Sequence, residues 1–266
     1  MKIYNIISQS FKPQITKNKV THNSNLNIHY NPSNLKKDMV SFGKSKNYGQ
    51  NSVLKKAIEV FNKYGINYQT DEDGMIILSE YHQPSHTYDL KKKVTFTDLG
   101  IDENEMFKYV KEIKGDADFR FSQLTNMGNL ECIGGNADFT YSKINSTGNL
   151  KYIGGNADFE YSKIKSLGNI QSINGYANFE YSNVKKLGKL ETIGDWVRFR
   201  NSDITNLGNL QYIGGNAWFD YSEVKNLGNL KSIEGNAYIS QQHCNISKDN
   251  LKNICKGKII IKKSHL

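Results

Sequence analysis

Cysteine is nearly absent. Cys132, Cys244 and Cys255 are the only three in 266 residues, too few and too odd in number for a disulfide scaffold. No apolar run approaches the roughly 20 residues of a membrane-spanning helix. The opening stretch MKIYNIISQSFKPQ lacks a clean apolar segment and a small-residue cleavage site, so a standard secretory signal is not expected. Catalytic signatures are missing too: there is no phosphate-binding glycine loop, no G-x-S-x-G, no H-E-x-x-H and no C-x-x-C. His82 and His86 stand four apart, but Pro84 between them argues against a shared helical face, and they read as solvated loop residues. Cys132 has no partner at ligand spacing and reads as a small, partly buried residue, whereas a Cys244–Cys255 pairing is possible but unsupported. The sequence gives no catalytic, cofactor or metal site, and the chain is expected not to be an enzyme.

What the chain does have is charge at its ends. The formal net charge is +9, with hydrophobic residues at 37%, enough to bury a core. Residues 1–56 carry +9, residues 57–110 carry −5, residues 111–250 are neutral, and residues 251–266 carry +5. The basic character therefore belongs to the two ends. Such ends are usually solvated, although they could tether the protein to nucleic acid or an anionic surface.

The chain also has a repeat. From Lys111 a 20-residue unit recurs without insertion or deletion: KEIKGDADFRFSQLTNMGNL, ECIGGNADFTYSKINSTGNL, KYIGGNADFEYSKIKSLGNI and three further copies, then a decayed seventh, KSIEGNAYISQQHCNISKDN. Ala117 and Phe119 alternate with Asp118 and Arg120, the period of a strand with one buried face. Leu124, Met127, Leu130 and Ile133 follow at intervals of three, which suits an irregular or helical-turn arc back to the next strand. Glycines at 128, 148, 168, 188, 208 and 228 offer positive φ for a turn, and the Gly-Gly pairs at 134–135, 154–155 and 214–215 offer a second corner. One copy cannot bury its Ile, Phe and Leu alone, but stacked copies can.

The phrase x-x-I-x-G-x-A-x-F-x-x-S-x-I-x-x-L-G-x-L resembles short leucine-rich repeats, and IGGNADF at 133–139 and 153–159 is similar to the strand of receptor L-domain-type repeats. The resemblance covers residues 111–250. It implies a parallel β solenoid of 20-residue coils acting as a non-catalytic binding module for a protein partner. Two departures stand out: Ser122, Ser142, Ser162, Ser182, Ser202 and Ser222 replace that family's asparagine ladder, and alanine sits where a larger aliphatic residue is usual. ADFEY-SKIKS also resembles two units of a pentapeptide-repeat β-helix, but LGNLK-YIGGN does not continue the five-residue phase.

The expected organisation is a disordered basic segment over 1–50, an α+β N-terminal cap over 51–110, about seven coils over 111–250, and a basic C-terminal cap and tail over 251–266. Within the caps, the patterns predict helices over 52–63, 102–111 and 248–255. They predict strands over 94–97 and 258–261, and a hairpin whose arms, 66–70 and 75–79, flank Asp71-Glu72-Asp73-Gly74.

The outward columns carry the functional signal. One reads Asp118, Asp138, Asp158, Asn178, Arg198, Trp218, Tyr238, and another reads Phe121, Tyr141, Tyr161, Tyr181, Asn201, Tyr221, Gln241. The three stacked aspartates are expected to be solvated or paired with Lys or Arg, with a Ca²⁺-type site as the alternative. The tyrosines are expected to stack on one another. The copy over 191–210 departs furthest from the rest and introduces Trp196, Arg198 and Arg200, while the following coils add Trp218, Tyr221 and Tyr238. Trp, Tyr and Arg are the types enriched at binding hot spots, so these six residues form the candidate partner-binding patch. No compartment follows: free cysteines fit a reducing interior, while repeats of this kind also occur in exported bacterial interaction factors.

Overall fold

A computed structural model describes residues 52–64, 66–82, 102–240 and 246–262. It is a parallel β-solenoid of about seven turns with little helix. Each 20-residue coil contributes one short strand to each of two nine-stranded sheets. Cys132–Ile133, Tyr152–Ile153 and Ser172–Ile173 are successive members of the first sheet, and Ala137–Asp138, Ala157–Asp158 and Ala177–Asn178 of the second. Pairing is in register at twenty residues, Ile133 beside Ile153 and Ala137 beside Ala157. On the remaining side, single parallel bridges join Asn126 to Ser146, Ser166 and Lys186 in turn. This is the irregular arc expected there, without a helical turn.

The core follows from which side chains point inward. Ala137, Phe139, Ser142, Ile144, Thr147, Leu150 and Ile153 are all buried in one coil, and their counterparts line the others. Phe119, Phe139, Phe159, Phe179, Phe199 and Phe219 form a continuous ladder with ring centroids 4.9–5.8 Å apart and rings within 16° of parallel. Alanine two residues before each Phe, with Val197 before Phe199 the exception, leaves room for these rings. The serine column is buried beside them. The Oγ–H groups of Ser182, Ser202 and Ser222 donate to the Phe carbonyl three residues back at 2.7–2.8 Å, while Ser142 and Ser162 Oγ have no partner among the described residues.

Two corners close each coil. Phe121, Tyr141, Tyr161, Tyr181, Asn201 and Tyr221 all sit at φ between 50 and 57°, so this aromatic column lies at a left-handed corner and not within a sheet face. The rings still stack as expected, Phe121 through Tyr181 at 4.7–5.2 Å. The second corner of left-handed residues is glycine, from Gly128 to Gly228, at φ 52–62°. The Gly-Gly pairs bend the chain for another reason. Their φ angles are ordinary, but a Cβ on Gly154 would overlap the carbonyl oxygen of Gly134 in the coil below.

Both ends are sealed. Helix α1 (Ser52–Tyr64) buries Leu54, Ala57 and Phe61, and a hairpin of Tyr68–Thr70 and Ile76–Leu78 extends the first sheet. Its turn is held by Asp71 Oδ1, which accepts from Asp73 N at 3.0 Å and Met75 N at 2.9 Å. Helix α2 is shorter than its sequence pattern, Glu103–Met106, capped by Asp102. Val110–Ile113 is a strand, because pairing with Ile76–Leu78 and Cys132–Ile133 captures the chain there; Met106, Phe107 and Val110 are buried all the same. Helix α3 (Lys248–Leu251) likewise stops early. Its cap is a reciprocal Ser247–Asn250 pair, and the chain then bonds Ile233 through Ile254 O and Lys256 N. Strand Ile259–Lys262 closes the second sheet. The expected strand over 94–97 and residues 1–50 lie outside the described residues.

Candidate functional site

The second sheet presents two columns of side chain to backbone hydrogen bonds. In the first, Asp116 Oδ1 accepts from Asn136 N at 2.6 Å, Asn136 from Asn156 N at 2.8 Å, and Asn156 from Tyr176 N at 3.0 Å. The pattern resumes with Asn216 and Asn236, which accept from Asn236 N and Lys258 N at 2.7 and 2.8 Å. An asparagine ladder therefore does run through this solenoid, six residues before the serine column. In the second column Asp118, Asp138, Asp158 and Asn178 each accept from the backbone N–H two residues on, at 2.9–3.1 Å. Both columns join or tighten the coils by capturing N–H groups.

Both are interrupted in the same region. Tyr176 and Trp196 replace the ladder asparagine, and Arg198, Trp218 and Tyr238 replace the turn-forming aspartate. None of these side chains offers a carboxylate or amide oxygen. They pack on one another: Tyr176 stacks on Trp196 at 4.1 Å, Trp218 stacks on Tyr238 at 5.0 Å, and the two tryptophans meet edge to face at 5.9 Å. The Arg198 guanidinium lies 4.8 Å from the Trp196 ring centre and 5.3 Å from that of Trp218, and donates no hydrogen bond to any described residue. Arg200 lies 5.0 Å over Tyr221 and 3.6 Å from Glu180. The structure thus brings Trp196, Arg198, Trp218 and Tyr238 into one cluster, adds Tyr176 and Lys262 to it, and leaves Arg200 and Tyr221 as a separate pair. Lys262 arrives on the capping strand, 5.6 Å over Tyr238 and 2.9 Å from the buried Asp220.

Toward the N-terminal coils the same face turns acidic. Arg120 pairs with Asp118 at 2.7 Å and with Asp138 at 3.6 Å, which accounts for two of the three stacked aspartates. Burial pushes the Asp158 carboxyl above its ordinary range, with the Asp138 charge adding to it; burial and the charges of Asp158 and Glu180 do the same to Glu160. No cluster of three or more potential metal ligands occurs among the described residues.

The other singled-out residues separate. Burial, with the nearby charges of Glu112 and Glu131, pushes the Cys132 thiol up to about 12, so it remains a neutral thiol. Cys255 points its Sγ at Gly235 O, 3.4 Å away, while Cys244, His86 and the His82 side chain lie outside the described residues. No helix among the described residues is long and apolar enough to cross a membrane. No protein-family model, curated protein or solved structure matches the chain.

Proposed function

We propose that this solenoid is a non-catalytic recognition module whose second sheet and adjoining corner, at Trp196, Arg198, Arg200, Trp218, Tyr221 and Tyr238, receive a protein partner. One observation carries the reading: the asparagine ladder gives way at Tyr176 and Trp196 and the aspartate column at Arg198, Trp218 and Tyr238, so the two interruptions overlap in the coil 191–210 and together set Trp, Arg and Tyr over four adjacent coils. Each lost side chain to backbone bond forfeits about 1 kcal/mol of local stability, so this surface departs from what folding alone favours. An arginine lying against two tryptophan rings, with no hydrogen bond from its guanidinium to a described residue, suits an acidic side chain on a partner. The rings around it supply rigid contact area at low entropic cost.

The test is capture by the full-length chain, with partners identified by mass spectrometry and affinity remeasured with the purified partner. The combined Arg198→Ala and Trp218→Ala variant is expected to melt near the native temperature and to lose partner binding by 100-fold or more, since each anchor of this type contributes about 2 kcal/mol. Unchanged affinity would sink the proposal.

As to the coil's family, we retain the leucine-rich type, supported by the three-residue spacing of Ile144, Thr147, Leu150 and Ile153. The pentapeptide alternative draws its support from the alternating spacing of Ala137, Phe139, Ser142 and Ile144. Tethering through the C-terminal lysines is less favoured. Lys252, Lys256 and Lys262 are engaged by Asp249, Glu234 and Asp220 at 2.6, 2.6 and 2.9 Å.

A further inference from the structure

The neutral sum over 111–250 conceals a segregation by face. The arc that links the second sheet back to the first carries Lys143, Lys163, Lys165, Lys185, Lys186 and Lys189, all exposed. No Asp or Glu occurs in its segments 142–150, 162–170 and 182–190. The acids of these coils, Glu131, Asp138, Asp158, Glu160 and Glu180, lie in the strands or within two residues of them. Backbone hydrogen bonds fix the lysines in columns: Lys163 N donates to Ser142 O at 3.3 Å, Lys185 N to Lys165 O at 2.9 Å, and Lys189 N to Gly168 O at 3.0 Å. Adjacent coils of a parallel sheet lie about 4.8 Å apart, so six positive charges fall on three successive coils, about two such steps from first to last. Among the described residues only Lys185 has an acidic partner, Asp203 of the next coil at 3.8 Å, and both side chains are about half exposed or more, so that pair is weak.

Beside this arc runs the ridge of Tyr141, Tyr161 and Tyr181, exposed at 49, 40 and 43%. Their faces cover one another at 4.7–4.9 Å, so a ligand meets ring edges and hydroxyls. Between the lysines stand Asn145, Ser146, Ser166 and Asn169. Lys, Asn, Ser and Tyr are the donors that proteins direct at phosphate and sugar oxygens. The arc holds no arginine, the commonest reader of base edges. It also exposes no aliphatic or tryptophan side chain that could enter a bilayer, which separates it from an interfacial membrane anchor.

We propose that this lysine arc docks the sugar–phosphate backbone of a nucleic acid without sequence preference. It lies on a different face from the tryptophan patch and stands or falls independently of the protein-binding role.

The test uses the full-length chain and fluorescently labelled 20-nucleotide RNA and DNA, single-stranded and duplex, titrated between 50 and 300 mM salt. The quadruple variant Lys163→Gln, Lys165→Gln, Lys185→Gln, Lys186→Gln is compared with an equal charge loss in the N-terminal segment: Lys17→Gln, Lys19→Gln, Lys36→Gln, Lys37→Gln. The arc variant is expected to weaken binding at least 10-fold more than the segment variant, and to reduce the salt slope by about 3. Amine labelling read by mass spectrometry is expected to show Lys163, Lys165 and Lys185 protected by the oligonucleotide. Equal losses from the two variants, no protection of the arc, or no binding by the native chain at 100 mM salt each overturn the proposal. So does equal or tighter binding to phosphatidylserine vesicles or to polyglutamate.

Discussion

Gly154 and Gly208 serve different needs within one repeat. At Gly154 the constraint is space, because the carbonyl oxygen of Gly134 occupies the position of a Cβ. At Gly208 the constraint is conformation alone: φ is +57° and nothing lies within 4 Å of where a Cβ would stand. Gly154→Ala is therefore expected to lower unfolding free energy by about 3 kcal/mol or more, since the backbone of two coils must separate. Gly208→Ala should lower it by only about 1–2 kcal/mol, the left-handed penalty of an L-residue, when both are measured by denaturant titration. The repeat made both glycines visible in the sequence, but not which constraint applied to which. The tyrosine corner was hidden for the opposite reason. A bulky residue at positive φ is disfavoured, and the stacking of Tyr141, Tyr161 and Tyr181 across coils helps offset it, beside the backbone bonds of the corner. Tyr176 escaped notice because its column had to be read as a hydrogen-bond ladder before an aromatic there looked out of place. Lys262 reaches Asp220 only through the capping strand.

At the level of strands and columns, the 20-residue period was legible because every inward position repeats, so side-chain pattern and sheet register agree. The helix over 102–111 failed where a local pattern met a stronger partner. Val110 and Ile113 suit a helical face, yet two waiting strands bond the same backbone. The aspartate column gives a prediction proper to this level. Burial raises the Asp158 carboxyl, so the folded chain holds that proton more tightly than the unfolded chain. Stability arising from this group is thus greatest in acid and falls as pH rises through the raised value. Asn178 makes the same turn bond in the next coil, accepting from Glu180 N at 3.1 Å. Asp158→Asn is accordingly expected to be more stable than the native protein at pH 7. That advantage should shrink as pH falls through the raised value and disappear below about pH 4, where the unfolded carboxyl is protonated too. Thermal melts across pH 3–8 check this, and a pH-independent difference would contradict it.

For the whole solenoid, stability is close to a sum of coils and the interfaces between them. Deleting residues 151–170 removes one coil and rejoins Leu150 to Gln171 in phase, so Ile173 can pair with Ile133 as Ile153 does now. That variant is expected to fold with the same far-ultraviolet circular dichroism per residue and a lower unfolding free energy; loss of cooperative unfolding would count against it. Charge shows where linear reading ends. Summed along the chain, residues 111–250 cancel; summed around the coil, the arc segments 142–150, 162–170 and 182–190 hold six lysines and no acid. No composition reveals that, because azimuth exists only once twenty residues close a turn. The constancy of that period has a further consequence. Every coil added or lost in evolution moves later residues along the axis by one step and leaves each at the same position within its coil, so a face once dedicated to a ligand stays continuous. Such a chain can lengthen a docking site by duplication while leaving the sites on its other sides aligned, much as a graduated rod extends without losing its markings.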